Sequence, residues 1–308
     1  MLGFYKSEGS VIVRADQLTE GCWVNAVSPN AEEIRFLIDQ MGIDSGFISA
    51  ALDEEESSRI ETEDDQTLII IDTPVAITEG DSLAYTTMPI GIIVTKTNVV
   101  TICLNETSPV TDITNGFTKN LQTAMKTRFL LSLLLRVAQS FLIRLKHINK
   151  MTTPVENELQ RSMRNKELLQ LAGLQKSLVY FSTSLKADEV TLEKILRGRV
   201  IKLYEEDQDL LEDVLIEFKQ AVDMSNIYST ILANTMEACS SLINNNMNNI
   251  MKVLTIITVL MEIPNIIFSF YGMNTLDLEV FVPYTWFAVL SSLVLLGVVG
   301  FFFWKKKF

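Results

Sequence analysis

Residues Asn248–Asn274, NNIMKVLTIITVLMEIPNIIFSFYGMN, limit the possible folds of this chain more than any other stretch. From Val253 to Phe270 the run is almost wholly apolar and long enough for a helix to cross a bilayer with little tilt. Three features interrupt it: Glu262 near the middle, Pro264 just after, and the exit Tyr271-Gly272-Met273-Asn274. At helical period Asn244, Asn248, Met251, Thr255, Thr258, Glu262, Asn265 and Ser269 are spaced alternately by four and three, so they share one face. Val253, Ile256, Ile257, Leu260, Ile263, Ile267 and Phe270 form the opposite face.

Lipid cannot satisfy a polar line, which must therefore meet protein or water. The chain offers only one helix of this kind. A symmetric ring of copies, with the line turned to a wet central axis, is the simplest solution. The plainer reading is that Thr and Ser bond back to their own backbone, or that the polar face glues two helices together. A charged residue and an asparagine at membrane depth favour a conduction path.

A second apolar run, Trp286 to Trp304, carries no charge, has tryptophan at both ends and is followed by Lys305-Lys306-Lys307. It reads as a lipid-facing span. Lys252 stands at the start of the first span, and the loop between the spans holds Asp277 and Glu279 but no basic residue. The positive-inside rule then puts both termini in the cytoplasm, with Lys252, Lys305, Lys306 and Lys307 as a basic ring.

Of the residues, 48% are hydrophobic and 21% charged, as expected for a soluble domain joined to a small membrane part. The formal net charge of −12 argues against nucleic acid as a partner and favours metal cations. Cys22, Cys103 and Cys239 are widely spaced and odd in number, which suggests neither a disulfide framework nor a thiolate zinc site. A single histidine, His147, makes histidine metal sites and Ser-His-Asp chemistry poor readings. Met1–Ser10 does not read as a secretory signal. No glycine-rich phosphate loop, organic cofactor motif or catalytic residue set is found, so an enzyme is not expected.

Short strands are expected at Leu2–Lys6, Val11–Arg14 and Cys22–Ala26, and further ones at Thr67–Asp72, Ser82–Pro89, Ile90–Lys96 and Val99–Leu104, in one mostly antiparallel sheet. Between them, Ser28-Pro29 reads as a cap and first turn for a helix over Asn30–Met41, with a second helix over Ser45–Leu52. Asp53–Glu56, with Glu61, Glu63, Asp64 and Asp65, reads as solvated surface; weak cation binding is the other reading. Beyond about Pro109 helices take over. They are expected over Lys119–Asn149, from Thr153-Pro154 to about Leu185, and over Asp188–Leu196, with a last helix running from near Val200 into the first span. Five asparagines among residues 244–249 are poor helix formers and point to a lining role at the inner mouth.

The fold class expected is thus an α+β cytoplasmic domain, a mixed sheet with flanking helices, followed by a long stalk helix and two C-terminal transmembrane helices. Its parts are residues 1–118 (α/β), 119–199 (helical), 200–252 (stalk), 253–274 (pore-lining span), 275–285 (outer loop), 286–304 (second span) and 305–308 (basic tail).

Tyr271-Gly272-Met273-Asn274, at the outer end of the first of two C-terminal spans, resembles the signature of the CorA family of divalent-cation transporters. Met251-Lys252-Val253-Leu254-Thr255-Ile256-Ile257, the short acidic loop and the terminal lysines are similar to that family too. The resemblance covers the whole plan, with residue-level correspondence from about Asp213 onward. It implies a homopentamer in the cell membrane, a funnel-shaped cytoplasmic domain, and magnesium as substrate, with cobalt or nickel often accepted. It implies that Gly272, Met273 and Asn274 form the outer selectivity ring and that Asn248, Met251 and Leu254 form the inner constriction, with Thr258 and Asn265 lining the path between. Asp213 would match an acidic residue that binds regulatory metal between subunits. The chain departs from the family at Glu262-Ile263, where an apolar residue and proline are usual. That departure keeps a second reading open, transport of zinc or another transition metal; a third is a membrane-anchored metal sensor without transport.

Overall fold

Runs of β-branched residues build a seven-stranded mixed sheet in the N-terminal part of the chain. Its strands are β1 (Leu2–Glu8), β2 (Val11–Ala15), β3 (Trp23–Val27), β4 (Arg59–Glu63), β5 (Gln66–Glu79), β6 (Ser82–Val94) and β7 (Val99–Cys103). In space they lie in the order β2-β1-β3-β7-β6-β5-β4, antiparallel except for β3 and β7. The structure, a computed structural model, describes residues 1–9, 11–79, 82–117, 121–162, 165–197, 201, 203–271 and 285–305. It divides into two units, Met1–Met236 and Glu237–Phe308.

Two expected strands, Ser82–Pro89 and Ile90–Lys96, are one. Pro89 faces Asp72 on β5, and the pairing of β6 with β7 begins only at Ile90, so the missing N–H falls where no ladder bond is required. β4, which was not foreseen, lies inside the acidic stretch read as plain surface. Asp64 and Asp65, both at positive φ, make the two-residue turn into β5. Arg59 pairs with Glu56 and Glu61, and such charges on an edge strand discourage pairing with another chain.

One face of the sheet is covered by α1 (Ala31–Asp39) and α2 (Ser45–Ala51). Leu37, Phe47, Ile48 and Ala51 pack there on Val24, Leu68, Ile70, Ile93, Val100 and Ile102. Gly91 allows this approach, since a Cβ there would stand 2.3 Å from the Ala51 Cβ. The cap of α1 is Asn30 rather than Ser28. The Asn30 side chain accepts from the Glu32 and Glu33 amides, and Glu33 reaches back to the Asn30 amide at 2.9 Å and on to the Leu2 amide at 2.7 Å.

The other helices of this unit are α3 (Ser108–Thr114), α4 (Lys126–Ser162) and α5 (Asn165–Leu196). α4 and α5 form a hairpin whose aromatic residues meet the sheet, with Trp23 on Phe129 at 5.2 Å, Tyr85 on Phe181 at 6.0 Å and Phe141 on Phe181 at 5.2 Å. Here the expected boundaries shift. Pro154 lies inside α4 instead of opening the next helix, and the piece expected at Asp188–Leu196 is the end of α5. The last helix, expected from Val200, begins at Gln208 after a 3-10 turn at Glu205–Asp207; it is α6 (Gln208–Tyr271), 64 residues long. Within the N-terminal unit α6 is tied to α5 by Ser225 Oγ, which donates to the Leu178 carbonyl at 3.2 Å, and by Ser182 Oγ, which donates to Asn226 Oδ1 at 3.1 Å.

The second unit holds the rest of α6 and α7 (Thr285–Lys305). α7 has 21 residues, about 30 Å of helix, which matches the hydrocarbon thickness of a bilayer. In the apolar run of α6, Ile256, Leu260, Ile263 and Ile267 are among the covered side chains, and along α7 Ser292, Leu296, Val299 and Phe303 are. Each set makes one stripe at helical period.

Candidate functional site

The polar line is carried by an uninterrupted stretch of α6. At 100° per residue, Asn244, Asn248, Met251, Thr255, Thr258, Glu262, Asn265 and Ser269 fall within an arc of about 100°. All eight are exposed in the single chain, as is Leu254 at its margin. The opposite face proves to be two. Ile256, Leu260, Ile263 and Ile267 are covered, whereas Ile250, Ile257, Met261 and Phe268 are exposed. Asn245, Asn248, Met251, Lys252, Thr255 and Ile256 of α6 line an open cleft with Phe303 of α7, so the two helices lie side by side there.

The hydrogen bonds along the line give it a chemical sign. Thr255 Oγ1 donates to the Met251 carbonyl at 2.8 Å, and Thr258 Oγ1 donates to the Leu254 carbonyl at 2.9 Å. Both hydroxyl protons are engaged by the backbone, so the two threonines turn lone pairs outward. Asn265 Nδ2 donates to Glu262 Oε2 at 3.2 Å, across the three-residue spacing that brings side chains together on a helix. The Asn265 amide oxygen and the other Glu262 oxygen remain as acceptors. The line therefore offers oxygen acceptors to anything beside it, which is the chemistry a cation or its hydration water requires. The plainer reading of the threonines, that they bond back to the backbone, holds in geometry and at the same time supports the cationic one. Pro264 lacks the N–H that would reach the Leu260 carbonyl, but that carbonyl lies on the side away from Glu262.

Gly272, Met273, Asn274, Lys306 and Lys307 lie outside the described residues. Lys252, within α6 at the start of its apolar run, and Lys305, the last residue of α7, are exposed. Asp213 is in the N-terminal unit, exposed on α6. Among the described residues no cluster of three or more His, Cys, Asp or Glu side chains is placed to hold a metal. Cys22, Cys103 and Cys239 are buried and form no disulfide, and burial pushes the Cys103 thiol up to about 12. The sequence reading missed a polar seam on α5, where Ser177, Ser184, Asp188 and Thr191 are all buried. Its signal is a helical spacing of polar residues on a face that should be apolar.

Residues 19–307 match the family described as CorA-like Mg2+ transporter protein. The cobalt/magnesium transport protein CorA of Methanocaldococcus jannaschii is 30% identical over 261 residues, which are 82% of this chain and 79% of that protein. The complete structure of the CorA magnesium transporter from the same organism superposes with a TM-score of 0.81 at 25% identity, covering 98% of this chain and 97% of that one. The full-length CmaX protein has a similar fold, with a TM-score of 0.70 at 18% identity over 100% of this chain and 96% of that one. So does the ZntB cytoplasmic domain from Vibrio parahaemolyticus, with a TM-score of 0.60 at 10% identity over 80% and 98%.

Proposed function

The chain belongs to the CorA-like Mg2+ transporter family, and from that premise we propose that it conducts Mg2+ inward through a central pore formed by a homopentamer in the cell membrane. The carrying observation is the line of oxygen acceptors at Thr255, Thr258, Glu262 and Asn265 on a helix of membrane length. Magnesium gives up its water reluctantly, and the outward hydrogens of a hydrated ion need acceptors rather than donors. Thr255, Thr258, Glu262, Asn265 and Ser269 supply them along the path. Gly272, Met273 and Asn274 select at the outer mouth, where the side-chain amide and close backbone oxygens meet the hydrated ion. Asn248, Met251 and Leu254 close the inner end, the apolar pair by dewetting.

Both termini face the cytoplasm, with Lys252 and Lys305–Lys307 at the inner surface. Intracellular divalent metal gates the pore. An exposed carboxylate at Asp213, with no metal-binding cluster around it among the described residues, suits a metal shared between subunits, whose loss would release the ring. Co2+ and Ni2+ are further substrates. A second reading, transport of Zn2+ or another transition metal, is favoured by Glu262 alone, because a carboxylate at membrane depth holds such ions more firmly than a neutral wall does.

The test is divalent-ion flux into liposomes carrying the full chain, compared with the Asn274→Ala variant. Wild type should admit Mg2+ and the variant should lose most of that flux. A wild type that admits no divalent ion would refute transport, and unchanged flux in the variant would refute the filter.

A further inference from the structure

Asp188 is the one fully buried carboxylate on the seam of α5, at 0% exposure. Its Oδ1 accepts twice, from Ser58 Oγ at 2.7 Å and from the Asp72 amide at 3.0 Å. The fold explains both bonds. The ladder between β4 and β5 ends at Arg59–Ile70, so the Asp72 amide emerges on a sheet edge that β4 has already left, and Asp188 takes its place. Asp188 Oδ2 has no hydrogen-bond partner. What lies next to it is the half-buried carboxyl of Asp72, beside the Ser184 hydroxyl.

An unpartnered carboxylate oxygen buried against a second carboxylate is costly if both are ionised. Among the described residues no cation faces the pair. β6 carries no charged residue, and β5 carries only Asp72 and its terminal Glu79. Arg59, next to Ser58, is engaged by Glu56 and Glu61. From α4, Arg144 and His147 turn to Tyr85. Along α5, Lys186 is exposed and Glu189 adds only negative charge.

We propose that Asp72 and Asp188 share a single proton, which donates from one carboxyl to the other across the orphan oxygen, and that this makes the attachment of α5 to the edge of β5 a proton-dependent clasp. The proton adds the one hydrogen bond that Oδ2 lacks and removes the repulsion. Burial, and for Asp188 also the neighbouring Asp72, hold both groups above the ordinary aspartate range. The folded chain thus keeps a proton that the unfolded chain releases. The resulting stability is full below the ordinary carboxyl range and is lost as pH rises through the raised value. The clasp lies within the N-terminal unit and does not depend on the transport reading.

The experiment is a urea melt of the full chain in detergent at a series of pH values, read by the fluorescence of buried Trp23 with Trp286 and Trp304 replaced by phenylalanine. With Asp72 and Asp188 intact, the midpoint should fall as pH rises above the ordinary carboxyl range. Asp188→Asn, whose amide can donate to Asp72 as the proton does, should flatten that slope. Asp72→Asn, at a half-buried position, should do the same and serves if the first variant does not fold. The infrared carbonyl band of a protonated carboxylic acid should persist above the ordinary carboxyl range of pH and be absent from Asp188→Asn. An unchanged slope in a folded variant, or no such band, overturns the proposal. A midpoint that Mg2+ restores at high pH only when both aspartates are present also overturns it, because the pair would then hold a metal ion.

Discussion

Glu262 sets this chain apart from a neutral pore. Its carboxylate accepts from Asn265 at 3.2 Å on the same face as Thr255 and Thr258. A unit negative charge 4 Å from a divalent cation in water is worth about 2 kcal/mol, or about thirtyfold in affinity. Glu262→Gln should therefore weaken the apparent affinity for divalent ions by up to about that factor, measured as half-saturating concentrations of uptake. Equal weakening for Mg2+ and Co2+ would mean that the ion passes hydrated; a larger loss for Co2+ would mean direct ligation. Identical uptake in every ion would mean that the carboxylate does not meet the path. Glu262 was legible in the sequence because a charge among eighteen apolar-rich positions stands out. Asp188 was not, because its meaning depends on where β4 stops, and that is a property of the sheet rather than of any local pattern.

At the scale of elements, the sequence marked the sheet, the helical half and the membrane helix, while prolines misplaced the boundaries. Pro89 suggested a break that edge geometry removes. Pro154 suggested a helix start, yet α4 continues through it, because Leu145 and Ile148 before it and Leu159 after it are all buried. Tertiary packing outweighs the local cost there. That cost remains measurable. Pro154 is exposed, leaves the Lys150 carbonyl without its helical donor and crowds it. Pro154→Ala should therefore stabilise the N-terminal unit by about 2 kcal/mol, the helix-interior penalty of about 3 less the entropy that proline removes from the unfolded chain. The check is the urea midpoint; no gain would mean that water already satisfies the Lys150 carbonyl and that the ring fits without strain.

For the whole molecule, the decisive fact is that a single chain leaves its acceptor line exposed beside a second exposed face of Ile250, Ile257, Met261 and Phe268. Lipid can cover the apolar face but cannot satisfy the line. In the proposed ring, copies arranged about an axis would turn the line to water, and an ion on that axis would feel the membrane potential and need no chemical fuel. Each charge gains about 2.3 kcal/mol per 100 mV, so a divalent ion gains about 4.6 kcal/mol, enough for accumulation of about three orders of magnitude. Uptake into liposomes should rise with an inside-negative potassium diffusion potential, fall when an ionophore collapses it, and reverse direction with the sign of the potential when the ion is present at equal concentration on both sides. ATP should make no difference. Flux that ignored the potential, or that required ATP at fixed potential, would rule out passive conduction along the line and leave α6 as a membrane anchor whose polar face meets another protein.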